Sequence, residues 1–290
     1  KKLVIYINPP YAEAGNAKQR AGTGENKTSV SVLHSTYRRF VDEIGIAGRE
    51  LFAQFFARIY KDMPGCILGE FSTLKHLQAP NFRKFRQLFR AKLLRGFIVP
   101  ANTFDNVDGE FPIGFFVWDL NGKDVFKETV CDVYSAKAEA LCQKTLLSYD
   151  GIDSINDWLI QTRKRGGKNI AFLSARSHDI QHVLDIYIKN DKKQIKSPRG
   201  TWITTANVIE GSIYLAVCHS VNANWLNDRD QFLYPNDGWK DDRVFQGDCL
   251  VYALFAQANN IQGSYGINHW IPFTEEDVDA RDCFESHFMS

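Results

Sequence analysis

Leu3-Val4-Ile5-Tyr6-Ile7-Asn8-Pro9-Pro10-Tyr11 joins an apolar run to a double proline. Leu3 to Ile7 is a β-branched and aromatic run, and Pro9-Pro10 stop it, the profile of a buried strand ending where its loop begins. Residues 12–31 then turn to Gly, Asn, Lys, Gln, Ser and Thr, a polar loop suited to ordering against a partner. Beyond it, Leu51, Phe52, Phe55, Phe56 and Ile59 recur at helical spacing between Gly48 and Lys61, and Cys66 to Phe71 reads as a second short strand. Asn81 is placed to cap a helix that turns Phe82, Phe85, Leu88 and Phe89 inward. Leu93 to Val99 and Ile113 to Trp118 are further strands, and Asn121-Gly122 marks a hairpin turn into Val125 and Phe126. Alternating strands and helices make residues 1–130 an α/β unit.

Residues 131–290 are less regular and read as a mixed α+β region. A helix is expected from Ser154 to Thr162, strands over Asn169 to Leu173, Trp202 to Thr205 and Ser212 to Cys218, and helices from Asp248 to Ala258 and after Thr274. His182 to Ile188 is an apolar stretch, helical or extended, and the basic segment from Lys189 to Gly200 is a surface loop.

With 290 residues and 44% apolar content the chain can bury one substantial core or two modest ones. A formal charge of +1 carries no overall signal for a polyanionic partner, so any nucleic-acid surface must be local. Cys66, Cys131, Cys142, Cys218, Cys249 and Cys283 are scattered without a C-x-x-C pair, which fits buried thiols in a reducing compartment. No stretch reaches the roughly 20 apolar residues of a membrane span, and a cytoplasmic location is the expectation. The chain starts on a strand without Met, so residues upstream are expected.

Asn8-Pro9-Pro10-Tyr11 suits chemistry on an exocyclic aromatic amine, a poor nucleophile whose lone pair is delocalised into its ring. Two fixed acceptors for the amine hydrogens pull the nitrogen toward tetrahedral geometry. The Asn8 side-chain oxygen supplies one and the Pro9 carbonyl the other. The prolines hold both acceptors rigid, and Tyr11 offers a flat face to a base flipped out of a duplex.

On these residues the sequence resembles the amino-group DNA methyltransferases, above all the adenine-specific enzymes of bacterial restriction-modification systems. The resemblance continues through Cys66-Ile67-Leu68-Gly69-Glu70-Phe71, the basic helix from Asn81, and Gly109-Glu110-Phe111-Pro112-Ile113-Gly114-Phe115-Phe116-Val117-Trp118, covering about residues 1–120. Asn268-His269-Trp270-Ile271-Pro272-Phe273 also resembles phrases near the ends of large enzymes of that kind. The resemblance implies a partial Rossmann-like methyltransferase sheet lacking its first strands, S-adenosylmethionine as methyl donor, and duplex DNA as partner. It implies catalytic roles for Asn8, Pro9, Pro10 and Tyr11. Base stacking falls to Tyr11 and to Phe111 in the late hairpin, with Phe104 the alternative. The region after the hairpin then recognises the DNA target. In the order seen here the glycine-rich cofactor motif and acidic ribose-binding residue lie upstream of Asn8. Gly22-Thr23-Gly24 does not replace that motif, because no strand precedes it. Further partners implied are an N-terminal half, a nuclease domain or a specificity subunit, with no membrane.

Three basic groups stand out. The helix Phe82 to Arg95 carries Arg83, Lys84, Arg86, Arg90, Lys92 and Arg95, which read as a solvated face. Arg163, Lys164, Arg165 and Lys168, and then Lys192, Lys193, Lys196 and Arg199 beside Lys189, sit in the recognition region and read as phosphate contacts. His178 and His182 are one helical turn apart without a third ligand, and read as a surface pair. Two other readings stay open: methylation of a protein glutamine, held by the same Asn-Pro-Pro-Tyr geometry, and a non-catalytic DNA-recognition fragment.

Overall fold

The computed structural model describes residues 3–9, 35–105, 107, 109–175, 177–190, 199–256, 258–263 and 266–267. Tyr11, Pro10, Lys192, Lys193, Lys196, Cys283, the polar loop 12–31 and the helix expected after Thr274 lie outside them. The chain has a mixed α/β architecture and divides into two compact units after Asp150. The boundary expected at residue 130 falls inside a strand of the first unit.

The first unit holds a six-stranded sheet of β1 (Val4–Ile7), β2 (Ile67–Thr73), β3 (Lys92–Pro100), β4 (Pro112–Asp119), β5 (Glu128–Tyr134) and β6 (Ala140–Leu147), in the order β1-β2-β4-β3-β5-β6. β1 pairs parallel with β2 and β3 parallel with β5, while β4 and β6 run the other way. The carboxyl ends of β1, β2, β3 and β5 therefore open on one end of the sheet, where β4 begins. Between β1 and β2 lie α1 (Ser35–Ile44) and α2 (Leu51–Asp62); α3 (Lys75–Gln78) and α4 (Arg83–Leu88) follow β2.

One sheet face carries the core. Phe52, Phe56, Phe82 and Phe85 from the helical segments are buried, as are Phe116 and Trp118 from β4. Their rings meet edge-on or stacked, with Phe52 and Phe82 centroids 5.6 Å apart and Phe89 and Trp118 5.3 Å apart. Two glycines make room for Phe116. A Cβ on Gly96 would come within 2.4 Å of its ring, and one on Gly114 within 2.2 Å. Gly114→Ala is therefore expected to overpack this face and to lower stability by about 1–3 kcal/mol. Urea denaturation checks this, and an unchanged midpoint would show that the ring can move aside.

Two local expectations are corrected here. The helix expected to run from Phe82 to Arg95 ends at Leu88, so Lys92 and Arg95 lie on β3. Asn81 does not cap it: the segment begins as a 3-10 turn over Pro80–Phe82, and no side chain caps α4. Asn121-Gly122 does turn the chain, but the strand after it is no hairpin partner of β4. Val125 and Phe126 stay outside regular structure, and β5 crosses to the far side of β3. Pairing across the sheet, which local turn chemistry does not encode, sets that course.

The second unit has a four-stranded sheet, β10-β8-β7-β9, from β7 (Asn169–Ser174), β8 (Tyr187–Lys189), β9 (Gly200–Thr204) and β10 (Asn259–Asn260). β11 (Gln262–Gly263) and β12 (Gly266–Ile267) form a small antiparallel pair. α5 (Ile155–Gln161) opens with Ser154 in a capping box with Asp157. α5, α6 (Val208–His219) and α7 (Arg243–Phe255) supply the core that Ala171, Leu173, Ile188 and Ile203 join from one face of the sheet. Ser212 to Cys218, expected as a strand, is the middle of α6. That helix is buried nearly all round, so its sequence shows a continuous apolar run with no amphipathic period to separate helix from strand.

Candidate functional site

Asn8 and Pro9 follow directly on β1, whose last residue, Ile7, stands opposite Glu70 of β2. Pro9 is buried and Asn8 is exposed. The motif thus leaves the sheet at the carboxyl end of a parallel strand, where open α/β sheets present their ligand-contacting loops.

The sheet face away from α1 and α2 is aromatic. Tyr6, Phe71, Phe115, Phe97 and Tyr134 form a continuous series across five strands, with ring centroids 6.4 Å apart for Tyr6 and Phe71, 4.8 Å for Phe71 and Phe115, 5.3 Å for Phe115 and Phe97, and 5.9 Å for Phe97 and Tyr134. At the carboxyl end, Phe104 meets Phe71 edge-on at 5.2 Å. There Phe71, Phe97, Val99, Thr103, Phe104 and Tyr134, with the turn after β5, line an open cavity of about 450 Å³. Its size lies within the range of small-molecule sites, about 300–1,000 Å³.

Of the two phenylalanines singled out for stacking, Phe104 lines this cavity. Phe111 packs, as Phe104 also does, against the cluster of Val99, Ala101 and Ile113, but does not line the cavity, and its carbonyl accepts from the Ala101 amide at 2.8 Å. Sequence reasoning missed Phe71, Phe97 and Tyr134. Phe97 and Val99 alternate on β3 in the manner of a shared face, a signal that was present. Tyr134 carried none, because it followed the expected domain boundary.

No protein-family model matches this chain, and no curated protein matches it. The assignment of a function therefore rests on its own residues.

The basic residues divide between framework and surface. Arg163 donates to the Thr201 hydroxyl and to the Gly200 carbonyl, and Arg165 pairs with the buried Glu210 carboxylate. Both guanidiniums thereby tie the 3-10 turn Thr162–Arg165 to β9 and α6. Lys164, Lys168 and Arg199 are exposed. In the first unit Arg86 is buried and clamps Asp150 at 2.7 and 2.8 Å while donating to the carbonyls of His76 and Ala79, which holds the Asp150 carboxyl below its ordinary value. The solvated-face reading of that helix is corrected at this residue.

His182 hydrogen-bonds Asp179 within a 3-10 turn, and no metal-binding group of His, Cys, Asp or Glu occurs among the described residues. Cys66, Cys131, Cys218 and Cys249 are buried free thiols, and burial pushes Cys131 up to about 11. Cys142, on β6, is exposed, which corrects its expected burial. Among the described residues no helix is long and apolar enough to cross a membrane.

Beneath the aromatic face, on the core side, lies a second polar group. Glu70 is fully buried and accepts from the Trp118 indole N–H at 3.1 Å; His76 Nε2 stands 3.5 Å from the same oxygen. Nδ1 of His76 lies 3.1 Å from the Thr73 carbonyl, which fixes the proton on that nitrogen. Burial raises the Glu70 carboxyl well above its ordinary value, against the opposing hydrogen bonds of Trp118 and Ser72, and lowers His76 to about 3. Both shifts favour the uncharged forms, a carboxylic acid beside a neutral imidazole.

Proposed function

We propose that this chain presents the exocyclic amine of a flipped adenine in duplex DNA for N6 methylation, as part of a restriction-modification protein. The observation that carries the reading is that Asn8-Pro9 and the aromatic cavity share the carboxyl end of one sheet. The antiparallel neighbours β3 and β4 support the Rossmann-like methyltransferase reading, since the resemblance implies a late hairpin there.

In this reading the Asn8 side-chain oxygen and the Pro9 carbonyl accept the two amine hydrogens. Phe104 meets the base with its ring, beside the apolar lining of Phe71, Phe97 and Val99. Lys164, Lys168 and Arg199 contact phosphates, while Arg163 and Arg165 shape the loop that carries them.

S-adenosylmethionine is the donor that the resemblance implies, but the cavity does not fit it. The lining has Thr103 and Ser135 hydroxyls and no carboxylate to take ribose hydroxyls or cationic group to take the donor's carboxylate. No step is derived through the donor. The same observation favours a second reading, DNA recognition without methyl transfer.

The intact protein, incubated with donor carrying a labelled methyl group and with duplex DNA, is expected to yield labelled N6-methyladenine on nucleoside digestion. Label on protein glutamine instead would replace the substrate class. DNA binding with no transferred label would establish the second reading.

A further inference from the structure

The second unit's sheet has an outer face that the methylation reading leaves without a role. Leu173, Ile188 and Ile203 point into the core, so their strand neighbours point away from it. In register across three strands stand Lys189, Phe172 and Trp202, with Tyr187 two residues before Lys189 on the same face. Phe172 and Trp202 meet edge-on with centroids 5.3 Å apart, and the Lys189 ammonium stands 4.6 Å over the Tyr187 ring. Trp202, Tyr187 and Lys189 are partly exposed.

Phe172 itself is buried, and Gly200 explains how. The phenyl ring crosses the backbone of Gly200, where a Cβ would sit 2.8 Å from Phe172 Cζ. With φ at +153°, Gly200 also adopts a conformation that side chains rarely take. The ring lies down along the sheet and leaves the Trp202 indole beside it.

Charge decides what such a face meets. Between Arg163 and Thr204 the sequence holds ten Lys and Arg against three Asp, whereas the whole chain is only +1. Aromatic rings beside Lys189 on a four-stranded sheet, in a stretch of sequence rich in cations, match the needs of a nucleic-acid strand, whose bases stack and whose phosphates pair. A rigid duplex keeps its bases stacked inside, so the aromatic row selects unpaired ones.

We propose that the outer face of the β10-β8-β7-β9 sheet binds unpaired nucleobases, stacking them on Trp202 with Lys189, held over the Tyr187 ring, at the phosphate backbone. It shares with the methylation reading the basic segment alone, and makes no use of Asn8 or the cavity.

The test uses the full chain without methyl donor. A fluorescent thymidine oligonucleotide is titrated at low salt, beside a duplex of equal length, and a 5-bromodeoxyuridine version is photocrosslinked and mapped by mass spectrometry. The single strand is expected to bind more tightly than the duplex, with Trp202→Ala weakening it about tenfold and Lys189→Gln weakening it severalfold. Crosslinks are expected at Trp202 or Tyr187. Crosslinks confined outside residues 187–204, or equal binding by Trp202→Ala, would overturn the proposal. Should Trp202→Ala not fold by circular dichroism, the crosslink map on the wild-type chain decides alone. Methyl transfer to duplex is scored separately, so either proposal can fail while the other stands.

Discussion

Replacing Asn8 with Ala in the intact protein is expected to lower methyl transfer to duplex adenine by about a hundredfold or more. The effect follows from geometry. The amine nitrogen is nucleophilic only when its hydrogens are drawn to two acceptors, and losing one of them releases the lone pair back into the ring. Asn8 is exposed at the end of a four-residue strand, so its truncation removes no core packing and the thermal midpoint is expected to stay within about 1 °C. Asn8→Asp is the informative companion, since it retains an oxygen at the same place but adds a charge. Full activity in Asn8→Ala, measured as labelled N6-methyladenine, would end the assignment. A loss of activity together with a loss of folding would instead mark Asn8 as structural.

The cavity yields a smaller expected effect that separates the two phenylalanines. Phe104→Ala is expected to raise KM for DNA more than Phe111→Ala, because Phe104 faces the cavity and Phe111 packs beside Ala101 and Ile113. Phe111→Ala is expected to cost stability. Equal kinetic effects with unchanged stability would return the stacking role to Phe111.

That distinction shows where the sequence was readable. β1 to β4 were legible within one residue at each end except at Phe71, where β2 continues two residues further to Thr73, because apolar runs bounded by Pro, Gly and Asn carry their own limits, but β1 is an exposed edge strand and not the buried one expected. The cavity was not legible, since it is assembled by β2, β3 and β5, and nothing near Tyr134 in sequence announces that β5 crosses to pair with β3. α6 escaped because complete burial erases the periodicity by which helices are recognised. The Arg163 and Arg165 pairings escaped because a basic run has one appearance whether its members meet phosphate or carry a buried carboxylate such as Glu210.

The buried Glu70 and His76 were invisible as a pair, and they set the second large expectation. His76 is lowered from 6.5 to about 3 on folding, so the unfolded chain takes the proton first. Its contribution to stability is intact above pH 6.5 and falls by about 1.4 kcal/mol for each unit of acidification toward pH 3. Glu70 is shifted the other way. Its folded value is raised, so its contribution is complete below pH 4.5 and is lost as pH rises through the folded value. Glu70 opposes His76 above pH 4.5, while His219, which burial also lowers, adds to the His76 slope on acidification below pH 6.5. Asp150, held down by Arg86, acts only below the usual carboxylate range and does not disturb that window. Glu70→Gln keeps an oxygen for the Trp118 N–H and removes the slope that opposes the histidines. Its urea midpoint is therefore expected to fall from pH 6.5 to 4.5 more steeply than that of the wild type, while His76→Gln shifts the profile in the opposite sense. A level Glu70→Gln profile would mean that His76 accepts a proton in the folded protein, and that the core beneath the aromatic face is open to charge.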